Sequence, residues 1–214
     1  DIGEPKFKKR PGSQTKKALK QKDIDEIVLS VIQDRDLGRF IKLTKDVELN
    51  SIKVANNMSL LHLACFSSLT EFVDYLVDRD IDVNIQTTKN LTGSESYIES
   101  NGIEGVTALL LAVQNQNEAI VESLLNHGAD ANAMNQYRLT PLMKAAQKNN
   151  EAIIQSLLDH GANVDEINKD KKTALWLAAE ENATEAGKLL ISQGASLNIE
   201  SNNFLTPIGK AIMN

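Results

Sequence analysis

The sequence predicts an all-α solenoid of stacked helix-turn-helix units, and three observations carry that prediction. The segments GVTALLLAV, RLTPLMKAA, KKTALWLAA and FLTPIGKAI place Thr107, Thr140, Thr173 and Thr206 33 residues apart. HGADANA, HGANVDE and QGASLNI place Gly128, Gly161 and Gly194 at the same interval. The third observation is compositional: 5 Phe, 3 Tyr and 1 Trp among 214 residues are few for one thick core, and point to a thin one of Ala, Leu and Ile repeated along the chain. A fixed period of this length marks units that bury their apolar faces only by stacking on one another.

Residues 1–22 form a basic arm, with Lys6, Lys8, Lys9, Arg10, Lys16, Lys17, Lys20 and Lys22 against Asp1 and Glu4. The arm carries +6 within a chain of net charge -6, so the rest is strongly acidic. Pro11, Gly12 and Ser13 separate its two clusters, a composition expected to stay without fixed structure until bound. Residues 23–54 supply two short apolar helices without the Thr or Gly markers, as expected of an N-terminal capping repeat whose outer face must meet water. The next unit, SLLHLACFSSLTEFVDYLVDRDIDVN, places Ser59 in the Thr slot and Asp80 in the Gly slot. Ser59 and Thr107 lie 48 residues apart, which implies an insertion of about 15 residues within Gln86 to Gly105.

Each repeated residue has a physical role. A Thr hydroxyl at a helix start accepts from an otherwise orphaned backbone N–H, and Pro141 and Pro207 follow where a missing N–H costs nothing. Ala112, Ala145, Ala146, Ala178 and Ala179 keep the first helix slim. Leu124, Leu125, Leu157, Leu158, Leu189 and Leu190 give the second helix its apolar face, and the Gly residues stand just past it, where a left-handed backbone suits them.

These residues resemble the ankyrin repeat family, whose signature joins a Thr-Pro-Leu-His-x-Ala helix start, a Leu-rich second helix and a Gly-Ala-Asp-x-Asn turn over 33 residues. The resemblance covers 55–214, with full units starting near 55, 102, 135 and 168 and a partial one near 201. The last unit holds a single helix and the first residue is not Met, so a fragment of a larger protein is expected.

Enzyme chemistry finds little support. HExxH, paired CxxC, GxGxxG, GxxxxGK[ST] and GxSxG are all absent, and no metal or cofactor is expected. His62, His127 and His160 occupy recurrent repeat slots and read as structural. Cys65 follows the HLA of its helix at a packed position, and as the only cysteine it argues against an extracellular disulfide framework. No apolar run reaches the length of a membrane span and no signal peptide is evident, so an intracellular protein of cytoplasm or nucleus is expected.

Recognition is the better reading. Three residues after each Thr, the family's usual His is replaced by Leu110, Met143 and Trp176, an apolar row on the first helices. The resemblance implies that this helix face and the outward loops line a concave groove where partner proteins dock; the loops contribute Ile103, Val106, Tyr137 and Leu139. Trp176 is then a groove anchor, the alternative being that it packs against the neighbouring repeat. Glu180 and Glu181 add negative charge, which predicts a protein segment with an apolar anchor flanked by Lys or Arg, bound by a monomer. Nucleic acid is not expected to bind the acidic solenoid. The arm residues Lys6, Lys8, Lys9, Arg10, Lys16 and Lys17 resemble a bipartite nuclear localisation signal, although attraction to phosphate or acidic lipid and a plain linker fit as well. Two alternatives stand beside a regulatory or scaffold module: the substrate-recruiting or targeting domain of an enzyme or effector, and a nucleus-associated transcriptional regulator using the arm.

Overall fold

The computed structural model describes residues 20, 23, 26, 27, 34–52, 58–88 and 104–213. Among them the chain forms ten α-helices and no strand. Helix α1 spans Leu37–Thr44, and a short 3-10 turn follows at Leu49–Ser51. Four helix pairs come next: α2 (Leu60–Phe66) with α3 (Thr70–Val77), α4 (Ala108–Gln114) with α5 (Glu118–Asn126), α6 (Pro141–Gln147) with α7 (Glu151–Asp159), and α8 (Ala174–Glu180) with α9 (Thr184–Ser192). Helix α10 spans Pro207–Met213.

The repeated hydroxyls cap the first helix of each pair. Ser59, Thr107, Thr140, Thr173 and Thr206 accept from the backbone N–H of His62, Leu110, Met143, Trp176 and Gly209 at 3.1–3.4 Å. Ser59 thus does the work of Thr. His62 completes its capping box by accepting the Ser59 N–H at Nδ1.

Second helices start differently. Asn117 and Asn150 cap α5 and α7 through the N–H of Ile120 and Ile153. At the corresponding slot before α9 stands Ala183, which has no oxygen to offer. Asn149, from the preceding unit, accepts the Ala186 N–H instead at 2.9 Å. Removing a cap of this kind costs about 1 kcal/mol. Asn149→Ala is therefore expected to destabilise the chain by about 1–2 kcal/mol, the lost cap adding to the cost of Ala in left-handed backbone (φ 54°), read as a lowered urea midpoint, and Ala183→Asn is expected to restore the cap's share by capping from within the unit. An unchanged midpoint in Asn149→Ala would mean that water caps α9 as well.

Stacking follows the period. First helices pack on first helices, second on second, and α9 also meets α6. Leu124, Leu157 and Leu190 are fully buried along the second-helix row, each contributing about 2 kcal/mol of apolar burial. Asparagines bridge neighbouring turns. Asn84 donates to the Gly128 carbonyl at 3.0 Å and accepts the Asp130 N–H at 2.8 Å, and Asn132 repeats both bonds on Gly161 and Asn163. Asn50 makes the same pair with the Asp80 carbonyl and the Asp82 N–H. The stack therefore begins before the first recognisable unit, and Phe40 of α1 packs on it, its ring 5.3 Å from Phe72 and 5.8 Å from Tyr75.

Each unit turns through left-handed backbone at three fixed places. One follows the second helix and holds Asp80, Gly128, Gly161 and Gly194, with φ from 56° to 87°. The others hold Ser68, Gln116, Asn149 and Asn182 between the helices, and Gly105, Arg138, Lys171 and Phe204 at the outward loops.

Candidate functional site: the finger and first-helix face

The outward loops are narrow two-legged fingers. Asn135 donates its N–H to the Leu139 carbonyl, and its Oδ1 accepts from Tyr137 and Leu139 at 2.9 and 3.1 Å. Asn168 does the same for Asp170 and Lys172. The fingers also bond to one another, Gln136 N–H to Glu104 O, Lys169 N–H to Tyr137 O and Asn202 N–H to Asp170 O, at 2.9–3.1 Å. A row of loops thereby becomes a rigid edge.

The insertion joins this edge at a defined place. Thr87, in the slot of Asn135, donates to the Val106 carbonyl at 3.0 Å, and its hydroxyl accepts the Val106 N–H at 3.1 Å. The extra residues leave and return through this closed base; residues 89–103, Ile103 included, lie outside the described ones.

Fingers and first-helix ends share one face. Lys172 on a finger holds both carboxylate oxygens of Glu180, at the end of α8, at 2.9 and 3.0 Å. The same ammonium sits 4.0 Å from the centroid of the Trp176 ring. Glu181 and Tyr137 are exposed, Leu139 is half-buried and Val106 is buried.

The apolar row read as exposed is not exposed. Leu110, Met143 and Trp176 are 6%, 1% and 3% accessible. Each following first helix packs over the slot three residues after the Thr, so a side chain there faces its neighbour. Trp176 uses that position to tie two units together: its Nε1–H donates to the Leu205 carbonyl at 3.0 Å. His62, in the same slot, stands 3.0 Å from the Val106 carbonyl through Nε2. Val106 and Leu205 both immediately precede a capping Thr, so Trp176 stands in for the repeat's usual His. Glu180, held by Lys172, is likewise not free to meet a basic partner.

Lys144 escaped the sequence reading. It occupies the slot held by Leu111 and Leu177 in the neighbouring units, and burial holds its ammonium below the ordinary lysine range, with Lys148 adding to the shift and Glu181 opposing it. The signal was available: a Lys in a column of Leu is visible once the units are aligned. Lys6, Lys8, Lys9, Arg10, Lys16 and Lys17 lie outside the described residues.

Cys65 is fully buried, and burial pushes its thiol far above the ordinary range. A thiol reagent at pH 8 is expected to leave the folded chain unmodified and to titrate one group after unfolding; rapid labelling of the native protein would contradict this burial. Above about pH 8.5 the unfolded chain loses this proton while the folded chain keeps it, so rising pH is expected to erode stability there.

Among the described residues, no group of three or more His, Cys, Asp or Glu could hold a metal ion, and no helix is long and apolar enough to cross a membrane. A rigid stack that displays side chains along one edge defines a class: helical repeat proteins, built to present a surface. The chain belongs to the ankyrin repeat family. The family model for ankyrin repeats in three copies matches residues 85–168 and 109–201, and that for a single ankyrin repeat matches 56–85. The ankyrin repeat protein FPV031 of Fowlpox virus (strain NVSL) is 36% identical over 104 residues, a match covering 39% of this chain and 30% of that protein. Ankyrin repeats are generally protein-protein interaction modules, and typically non-catalytic.

Proposed function

We propose that the chain binds a segment of a partner protein on the finger and first-helix face, with Tyr137 as its apolar anchor. The observation that carries this reading is a rigidly held, open aromatic. Tyr137 is 44% accessible, its N–H bonds Asn135 Oδ1 at 2.9 Å and its carbonyl accepts from Lys169 at 3.1 Å. The backbone is thus fixed in advance and a Tyr side chain has only two torsions to order, so little entropy is lost on binding, and Tyr is a frequent hot spot. Leu139 extends the apolar surface beside it. Glu181 supports a basic flank on the partner, a role that Glu180 no longer shares. Thr87 and Val106, bonded to each other on this edge, flank the insertion in the chain, which supports testing it for a further contact. Residues 23–54 serve as the N-terminal cap, a reading supported by the bridge from Asn50.

A photo-crosslinking residue at position 137 is expected to capture the partner, whereas one at Glu122 on the second-helix row is not. Tyr137→Ala is expected to weaken partner capture at least about ten-fold while changing stability by less than about 0.5 kcal/mol. Equal crosslinking at both positions, or full binding by Tyr137→Ala, would remove Tyr137 from the interface.

A further inference from the structure

We propose that the segment bound on the finger face carries an acidic residue whose carboxylate pairs with Lys144 and Lys148, which rests on the reading of that face as the docking surface. Lys144 lies within α6 and Lys148 is its C-cap, one turn later. With Gln147 they follow the three- and four-residue spacing that puts side chains on one helix face. Their counterparts in the next unit are Leu177, Glu180 and Glu181, and there Glu180 is held by Lys172 of the finger, so this face runs up to the fingers.

Lys144 interrupts an apolar column. Leu111 and Leu177 are 5% and 3% accessible in its slot, whereas Lys144 is only half-buried. A lysine in such a place covers apolar surface with its stem and carries its charge outward. The next unit matches its charges across the face, through Lys172 and Glu180. In the unit of Lys144 both of those slots are neutral, with Leu139 for Lys172 and Gln147 for Glu180, and the cation stands on the helix instead. Among the described residues, neither the Lys144 nor the Lys148 ammonium has a hydrogen bond or an ion pair.

That arrangement is unfavourable for the chain alone. Burial and the like charge of Lys148 disfavour the Lys144 ammonium, and Glu181 opposes them without restoring its ordinary state. A Leu at this position would match its column, so the Lys carries a cost that no contact among the described residues offsets. An incoming carboxylate compensates both for lost solvation and for the repulsion. Lys144, Lys148 and Glu181 together leave a single net positive charge, which suits one carboxylate. Tyr137 and Leu139 stand on the finger directly before α6, so one unit presents the apolar contact and the cations, and Glu181 follows on the next.

The test pans a random dodecapeptide library on the full 214-residue chain and keeps the peptides whose binding is lost in Tyr137→Ala. These are expected to share an Asp or Glu. Its change to Asn or Gln is expected to weaken binding to the wild type at least about ten-fold and to leave binding to Lys144→Leu unchanged. Lys148→Gln, at an exposed position where folding is not at stake, is expected to weaken the acidic peptides about three-fold or more and their neutral versions hardly at all. Lys144→Leu is also expected to raise the urea midpoint. Tyr137-dependent peptides without a shared acid, or an acid whose loss weakens binding equally in wild type and both lysine variants, would overturn the pairing and leave the finger reading standing. A lowered midpoint in Lys144→Leu would overturn it by making Lys144 part of the fold. The absence of any Tyr137-dependent peptide would remove the finger reading, and the pairing with it.

Discussion

Trp176→Ala is expected to cost about 3–5 kcal/mol of folding stability, the usual range for deleting a buried large aromatic. The indole fills space between α8 and the last finger, its N–H satisfies the Leu205 carbonyl, and Lys172 lies against its face. Removing it leaves a cavity at the joint that fastens α10 to the stack. Trp176→His is expected to recover about 1 kcal/mol or more relative to Ala, because a ring nitrogen in that slot reaches the same carbonyl position, as His62 does. Urea unfolding of the three proteins provides the comparison. Native fluorescence gives an independent reading: the sole Trp is expected to emit in the blue and to resist iodide. Full stability in Trp176→Ala, together with a red-shifted and readily quenched wild type, would return Trp176 to the role of exposed anchor.

Gly105 is the second sensitive point, and a comparison with Gly161 isolates why. Both have positive φ, 76° and 81°, so any side chain costs about 1–2 kcal/mol in backbone strain at either position. Only Gly105 is also crowded. A Cβ there would stand 3.0 Å from Asn135 Cα and 3.2 Å from Gln136 N, backbone atoms of the next finger, whereas Gly161 opens into free space. Gly105→Val is therefore expected to destabilise by about 3 kcal/mol or more and Gly161→Val by about half that, the difference being the cost of prising apart two bonded fingers. The Gln136 N–H to Glu104 O bond lies within this contact, so faster exchange of the Gln136 amide is expected in Gly105→Val alone. Equal losses in the two variants would show that the close approach carries no energy.

These two expectations also mark where sequence reasoning stopped. The period, the capping Thr residues and the Gly slots were legible because each is a local requirement: a helix start needs an oxygen, and a left-handed turn favours Gly. Ser59 and Asp80 could be placed as substitutes for the same reason, and both perform their roles. Trp176 was misjudged as an exposed anchor because one helix does not reveal what lies over it. The sequence shows a large apolar residue on a face, and only the next unit decides whether that face meets water. Asn149 illustrates the same limit from the other side, since its oxygen caps a helix 37 positions away, in a unit whose own slot holds Ala183.

The sequence by itself determined the architecture and family of this protein, because 33-residue periodicity and helix caps are written in near neighbours along the chain. The tertiary structure decided which of the singled-out side chains remain available to a partner. It withdrew Leu110, Met143 and Trp176 into the joints between units, tied Glu180 to Lys172, and left Tyr137 open on a rigid finger. The physical reason is that stacking buries one side of every unit, and which side chains it covers depends on residues a full repeat away.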